Sequence, residues 1–293
     1  MSPPRRRTPP STSHDHQGVG LGGGGVAGIA WEIGVLTGLA DGGVDVTGAD
    51  LVVGTSAGST VAAQITSGAS LEDLFGRQVE PAAGSGELTA PTNLASLEQF
   101  WIDAVSTTST TLELRKAVGA LALDTDTVPE AARLQVIAGR LPNHTWPHRP
   151  VRIVAVDART GEERIFDEGG DVSLVDAVAA SCAVPGIWPP ITIGGRRYMD
   201  GGIRSVLNAD LAVGHDVVLI LAPIEDMLPV SDDVSAGMRK LGAESQVSTI
   251  RPDEASTAAF GSDLLSPATR EPCARAGRSQ GRAVAASVRS VWG

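Results

Sequence analysis

The 293-residue chain predicts an α/β fold, a single three-layer α/β/α domain around a mainly parallel central sheet. Three observations predict it. Residues 18–66 read as strand, helix, strand, helix, the order of a parallel crossover unit, which is right-handed in nearly every fold that contains one. Val217–Leu221 is an unbroken apolar run, the pattern of a strand buried on both faces. Hydrophobic residues form 42% of the chain and aromatic residues only 3%, so the core has to be assembled from closely packed small aliphatic side chains.

Taken in order, residues 1–17 are polar and rich in Pro, Ser and Thr. Arg5-Arg6-Arg7 is followed by no apolar stretch, so a disordered tail is expected rather than an export signal. No apolar run reaches the ~18–20 residues that cross a bilayer, and the expected location is cytoplasmic. From Gly18 a short strand leads through the glycine run Gly22–Gly25 into a helix, where Ile29, Ile33, Leu36 and Ala40 recur at helical spacing. Asp41-Gly42-Gly43 ends that helix, and Asp50 opens the strand Leu51–Thr55. Leu71 to Pro150 changes character: a Gly/Pro/Ala/Thr loop at 81–92 and helices over 94–105, 111–121 and 129–141, the last with Pro129 in its first turn. This helical insertion is expected to lie over one end of the sheet as a lid or acyl-chain groove.

Strand character returns at Val151–Val156, followed by Asp157 and the turn Arg159-Thr160-Gly161. A helix at Ser173–Ala180 runs into the proline-rich, irregular segment Ser181–Pro190. Arg197-Tyr198-Met199 is a short strand ending at Asp200-Gly201-Gly202. Gln246–Ile250 reads as a last edge strand and Ala274–Val291 as a closing helix.

The net charge of −11 argues against nucleic acid and against strong docking on anionic lipid. Cys182 and Cys273 make neither a disulfide framework nor a metal pattern, and a reduced compartment fits them. His14 and His16 belong to the polar tail, and His144 and His148 to a proline-rich loop.

The chemistry concentrates at Gly54-Thr55-Ser56-Ala57-Gly58, a Gly-x-Ser-x-Gly match placed between a strand and a helix. A serine forced into so sharp a turn needs flanking residues without side chains, and Gly54 and Gly58 supply them. The helix that follows aims its N-terminal amides and positive dipole end at the serine, where an oxyanion would form. A Ser-His-Asp triad would need a histidine after the acid. The one available, His215, precedes a strand and therefore lies at the wrong end of a parallel sheet. The glycine run also spells Gly-x-Gly-x-x-Gly at Gly20/Gly22/Gly25 and Gly23/Gly25/Gly28. The next strand ends in Gly54-Thr55-Ser56 and not in the acid that a dinucleotide ribose requires. Asp157 is a competing acid, better explained as a turn former.

Three elements stand in sequence: Leu21-Gly22-Gly23-Gly24-Gly25-Val26-Ala27-Gly28, the Ser56 elbow, and Asp200-Gly201-Gly202. Together with Ala180–Pro190, this order resembles the patatin-like phospholipase family, over Gly18–Ser67 and Val151–Pro223 and only loosely beyond. The resemblance implies a patatin-like domain over 18–293 with the insertion at 71–150, and a serine hydrolase of phospholipids or other long-chain acyl esters. It implies a dyad of Ser56 as nucleophile and Asp200 as base. The oxyanion would be held by the amides of Gly23, Gly24 and Gly25, with Gly28, Gly54, Gly58, Gly201 and Gly202 supporting the motifs. It implies no metal or organic cofactor, and peripheral contact with a membrane or micelle through apolar surface near the site. One departure stands out, Ala27 where the family often has Arg or Lys. The alternatives are a lipid-binding or scaffold protein that keeps the fold with little activity, and a histidine-containing esterase.

Overall fold

A computed structural model describes residues 15–81, 86–90 and 97–293. Eight strands form one mixed sheet: β1 (Gln17–Leu21), β2 (Leu51–Thr55), β3 (Val151–Asp157), β4 (Glu163–Phe166), β5 (Ile191–Ile193), β6 (Arg196–Asp200), β7 (Val217–Leu221) and β8 (Gln246–Ile250). The main path is β5-β6-β3-β2-β1-β7-β8, with β4 pairing β3. The run β3-β2-β1-β7-β8 is parallel throughout, while β4, β5 and β6 join it antiparallel. The predicted mainly parallel sheet is present, and β8 is an edge strand.

Side chains alternate across the parallel strands and build two cores. Val19, Leu21, Val52, Ile153, Leu219 and Leu221 face a helical layer that includes α1 (Gly25–Asp41), α2 (Ala57–Ile65), α7 (Leu174–Ser181) and α10 (Arg270–Trp292). Leu51, Val53, Val218 and Ile220 face the opposite layer, formed by α8 (Asp232–Glu244) and the 3-10 turn Ala209–Ala212. The result is the expected α/β/α sandwich.

The first helix departs from the amphipathic reading. Val26 through Leu39 are all buried, Trp31 and Glu32 included. A helix buried on every side needs a second helix on its outer face, and α10 is that cover. Its backbone comes so close that a Cβ on Gly34 would lie 2.2 Å from Ala274 O, and one on Gly281 2.3 Å from Val35 O.

The 71–150 segment does not sit as one body over the sheet end. It holds α3 (Leu71–Val79), α4 (Glu98–Thr107), α5 (Thr111–Asp124) and α6 (Glu130–Arg140). Among these, α3 packs on α1 and α10, and α6 on α7. Ala104 of α4 and Leu114, Val118 and Ala122 of α5 cover Val156 and Met199 near the ends of β3 and β6. Pro129 is the N-cap of α6, one residue before the first helical turn. The start expected for α4, at 94, lies outside the described residues. The expected tail 1–17 lies mostly outside them too. It is shorter than expected, because Gln17 already opens β1 and His16 O accepts from Asp216 N.

The α1–α10 contact tests whether this packing is needed. Gly34→Ala gains up to ~1 kcal/mol of helix propensity but forces apart two backbones at a cost of about 1–3 kcal/mol. Urea unfolding should show a net loss of stability.

Candidate active site

Ser56 sits at the carboxyl end of β2, between that strand and α2, with φ 51° and ψ −114°. Among the described residues only Ser56 and Asn208 are non-glycine with positive φ. A side chain held there is strained, and such strain persists only where the surroundings enforce it. They do so from three directions. Ser56 N donates to Ser181 Oγ at 2.9 Å, while Ser59 Oγ (2.7 Å) and Cys182 Sγ (3.1 Å) donate to Ser56 O. Gly58 N donates to Gly22 O, and a Cβ on Gly58 would lie 2.0 Å from Leu21 O. A Cβ on Gly54 would meet Gly58 O at 2.6 Å. The turn cannot be made this tight with side chains at either position.

The glycine run joins β1 to α1 and passes beside Ser56. The Gly22 amide is shared between Leu221 O and Glu32 Oε1 (2.9 Å), and Ala27 N donates to Leu264 O. Glu32 is fully buried, which pushes its carboxyl well above the usual range, offset in part by the Gly22 bond. Gly28 N closes back on Gly24 O, and a Cβ on Gly28 would crowd Ala57 Cβ at 3.2 Å. The Gly23 amide, expected among the oxyanion donors, is instead engaged by Val206 O at 3.0 Å. The Gly24 and Gly25 amides, at the N-terminus of α1, and the Ala57 amide, at that of α2, have no acceptor among the described residues. Helix N-termini leave such donors unmatched by construction.

Asp200 ends β6 and is 5% exposed. Its Oδ1 accepts from Gly202 N at 2.8 Å, while Oδ2 is buried without a hydrogen-bond partner. Burial drives its pKa up to about 7, against the lowering effects of the Gly202 amide, the Ser56 hydroxyl and the Arg133 charge. A Cβ on Gly201 would lie 2.2 Å from Val154 O, so the aspartate turn lies directly on β3. Ser56, Asp200, Gly23, Gly24, Gly25 and Gly202 line one cleft of about 70 Å³, whose other walls include Trp101, Val184, Ile203, Leu228 and Leu265. That cleft is apolar, with two reactive groups and a row of amides at its base.

Several supporting residues escaped the sequence reading. Asn208, in the left-handed region at φ 46°, donates from Nδ2 to Thr55 Oγ1 (2.9 Å), Ser205 O (2.6 Å) and Gly201 O (3.2 Å). It ties the strand carrying Ser56 to the turn carrying Asp200. Arg204 holds Asn208 Oδ1 (2.6 Å), grips Asp210 through both terminal nitrogens (2.9 and 2.7 Å) and pairs with Glu163. The one local signal for Asn208 was its residue type, since Asn tolerates this backbone region. Asp157, the competing acid, accepts from Arg159 N and Thr160 N as a turn former and faces Arg196 at 3.4 Å. His215 packs against Gly18 at the amino end of β1, remote from Ser56 along the sheet. His14 lies outside the described residues. No cluster of three or more His, Cys, Asp or Glu suited to a metal ion occurs among the described residues, and no described helix is long and apolar enough to cross a membrane.

A serine on a strained strand-to-helix elbow thus shares one cleft with a buried carboxylate at the carboxyl ends of a parallel sheet, and no histidine lines that cleft among the described residues. Residues 20–213 match the model of the patatin-like phospholipase family, and the chain belongs to that family. Membership places it among the lipid acyl hydrolases. Similar solved structures include VipD from Legionella pneumophila, at 14% identity and TM-score 0.45, covering 94% of this chain and 67% of that one. The type III effector protein ExoU matches at 18% identity and TM-score 0.40, covering 93% of this chain and 53% of its own.

Burial of Asp200 has a consequence for stability. An acid whose folded pKa is raised holds its proton more tightly when folded, so its penalty is absent below pH ~4, grows to about pH 7 and is complete above it. Asp200→Asn keeps an acceptor for Gly202 N. It should raise stability at pH 8 by up to about 4 kcal/mol and change it little at pH 4, as read by urea unfolding at both pH values.

Proposed function

We propose that the protein is a serine acyl-ester hydrolase of the phospholipase A type, working through a Ser56–Asp200 dyad. The observation that carries the reading is Ser56 at positive φ in the same cleft as a buried aspartate whose Oδ2 has no other partner. Asp200 takes the Ser56 proton as Oγ attacks the ester carbonyl, and returns it to the departing alcohol. A carboxylate near pKa 7 is a far better base than one near 4, and burial is what makes it so. The amides of Gly24, Gly25 and Ala57 are the donors for the oxyanion, each worth on the order of 3 kcal/mol of barrier. Water then attacks the acyl-enzyme by the same route in reverse. No metal or cofactor enters the scheme.

Substrate lipid reaches the cleft from an apolar face. Trp101, Met227 and Leu228 line the cleft; Met227 is exposed, as are Ile102 and Val105 on the helix that carries Trp101. With a chain charge of −11, attachment to vesicles rests on this apolar surface rather than on anionic head groups. Binding to neutral phosphatidylcholine vesicles should therefore change less than twofold between 50 and 500 mM salt, and fall at least fivefold in the double variant Ile102→Asp/Met227→Asp. Flotation assays read both.

The dyad is tested with a fluorophosphonate probe and a soluble ester. Ser56→Ala should lose both labelling and hydrolysis, and Asp200→Asn should lose at least 10²-fold in kcat/KM while remaining folded. Because the base must be ionised, kcat/KM of the wild type should climb with pH through an acid limb near 7. A folded wild type that is neither labelled nor active, and that carries bound lipid, would instead make this a lipid-binding protein.

A further inference from the structure

Ser56 has a second, chemically different neighbourhood. Adjoining the apolar cleft, and sharing Gly25, Ser56, Val184 and Leu265 with it, lies a constriction of about 20 Å³, room for roughly one water, whose walls also include Ala57, Arg133, Arg140 and Trp188. It shares Val26, Ile29 and Arg140 with a polar cavity of about 410 Å³ whose other walls include Gln64, Gln78 and Arg270 and also the carboxylates of Glu80 and Glu87. The nucleophile thus stands between an apolar space and an arginine-lined one.

Two of those arginines are in an unusual state. Arg133, on α6, is 2% exposed, and its Nε and Nη1 are buried with no hydrogen-bond partner among the described residues. Its one strong contact is the face of Trp188, with the guanidinium carbon 4.1 Å from a ring centroid. Burial and the neighbouring Arg140 charge lower its pKa to about 9, so the cation is held at a cost. Arg270, at the cavity, is buried too; its Nη2 donates to Arg77 O and its Nε meets Gln78 Oε1 at 3.5 Å, which leaves Nη1 without a partner among the described residues. Arg140, by contrast, is matched to Glu87 through two bonds of 2.8 and 2.6 Å. A buried guanidinium with open donors is expensive unless an anion completes it, and the guanidinium fork fits phosphate oxygens two at a time.

We propose that Arg133, with Arg270 in the adjoining cavity, forms a subsite for a phosphate group beside Ser56. Resting on the hydrolase reading above, the subsite takes the phosphate carried by the alcohol half of the ester while the acyl half occupies the apolar cleft. In a glycerophosphate ester only a few bonds separate phosphorus from the scissile carbonyl, which suits an arginine lining the same constriction as the nucleophile. A phosphate needs more room than the constriction offers, so binding requires Arg133, Trp188 or Leu265, the large side chains in its wall, to shift. Free phosphate is the other source of the same chemistry.

The test compares two monomeric short-chain esters with the same acyl group, a monoacylglycerol phosphate and the monoacylglycerol that lacks phosphate. The wild type should prefer the phosphate ester in kcat/KM. Arg133→Gln should cut that preference at least tenfold, Arg270→Gln should cut it less, and Arg133→Lys should restore part of it. Taking the ratio cancels any effect that Arg133 exerts through Asp200. A second measurement needs no substrate: inorganic phosphate should raise the Tm of the wild type but not of Arg133→Gln. A preference that falls assigns the site to the substrate's phosphate. An unchanged preference with an Arg133-dependent Tm shift keeps the site and assigns it to the free ion. An unchanged preference without that shift, whatever the common loss in rate, overturns the subsite. Absent hydrolysis of both esters and absent labelling of Ser56 would count against the hydrolase reading, and the Tm measurement would still decide the subsite.

Discussion

The approach of the first turn of α2 to the end of β1 is the constraint on which the site depends. Gly58 lies so close to Leu21 that its amide bonds Gly22 O and no side chain fits between them. That contact bends the chain at Ser56 into a region that a serine does not choose freely. It also brings the N-terminus of α2 beside that of α1, so the unmatched amides of two helices point at one place. Strain at the serine, free donors beside it and exclusion of bulk at Gly54 and Gly58 are consequences of one backbone packing event. The hydrogen bonds from Ser59 and Cys182 to Ser56 O and the Ser181 bond to Ser56 N then hold the bend from behind.

The second half of the site is fixed from the other side of the sheet. Asp200 arrives on β6, an antiparallel strand beside the end of β3, and Gly201 lets its turn rest against Val154. Asn208 converts this neighbourhood into a fixed distance by bonding both Thr55 and the Asp200 turn, and Arg204 and Asp210 hold Asn208 in turn. Such a network does nothing chemically, yet it decides whether the carboxylate meets the hydroxyl. The same close packing strips water from Asp200 and raises its pKa, so positioning and basicity have one cause.

Much of this was legible because it is written in short-range chemistry. A serine elbow must be spelled with glycines, and a strand buried on both faces must be apolar throughout, so Gly54, Gly58 and Val217–Leu221 could be read directly. β8 and α10 were found within a few residues of their ends. Of the β5–β6 hairpin only β6 is legible; β5 is not, although Gly194-Gly195, both at positive φ, is a two-residue turn signal, because the prolines just before it obscure the strand. α8 and α9 (Glu254–Phe260) went unread. What could not be read was long-range pairing. Nothing near Gly23 in the sequence announces that Val206 O will take its amide, and nothing near Arg133 announces Trp188 or Ser56. Trp31 and Glu32 stand off the apolar stripe of their helix, and nothing beside them announces their burial: Trp31 bonds Gln280 of α10, some 240 residues further on, and Glu32 reaches back to the Gly22 amide.

Ala27 shows how such long-range pairing can replace a local device. A cation at this position would have to find room where Ala27 is fully buried. The loop is held instead by hydrogen-bond acceptors spread around it: Glu32 and Leu221 on Gly22, Val206 on Gly23, and Leu264 on Ala27. Each acceptor comes from a different part of the chain, so the loop is clamped from several sides. This arrangement engages the Gly23 amide and leaves those of Gly24 and Gly25 without an acceptor among the described residues. Positive charge sits elsewhere, where Arg133 and Arg140 of α6 line the constriction that adjoins Ser56.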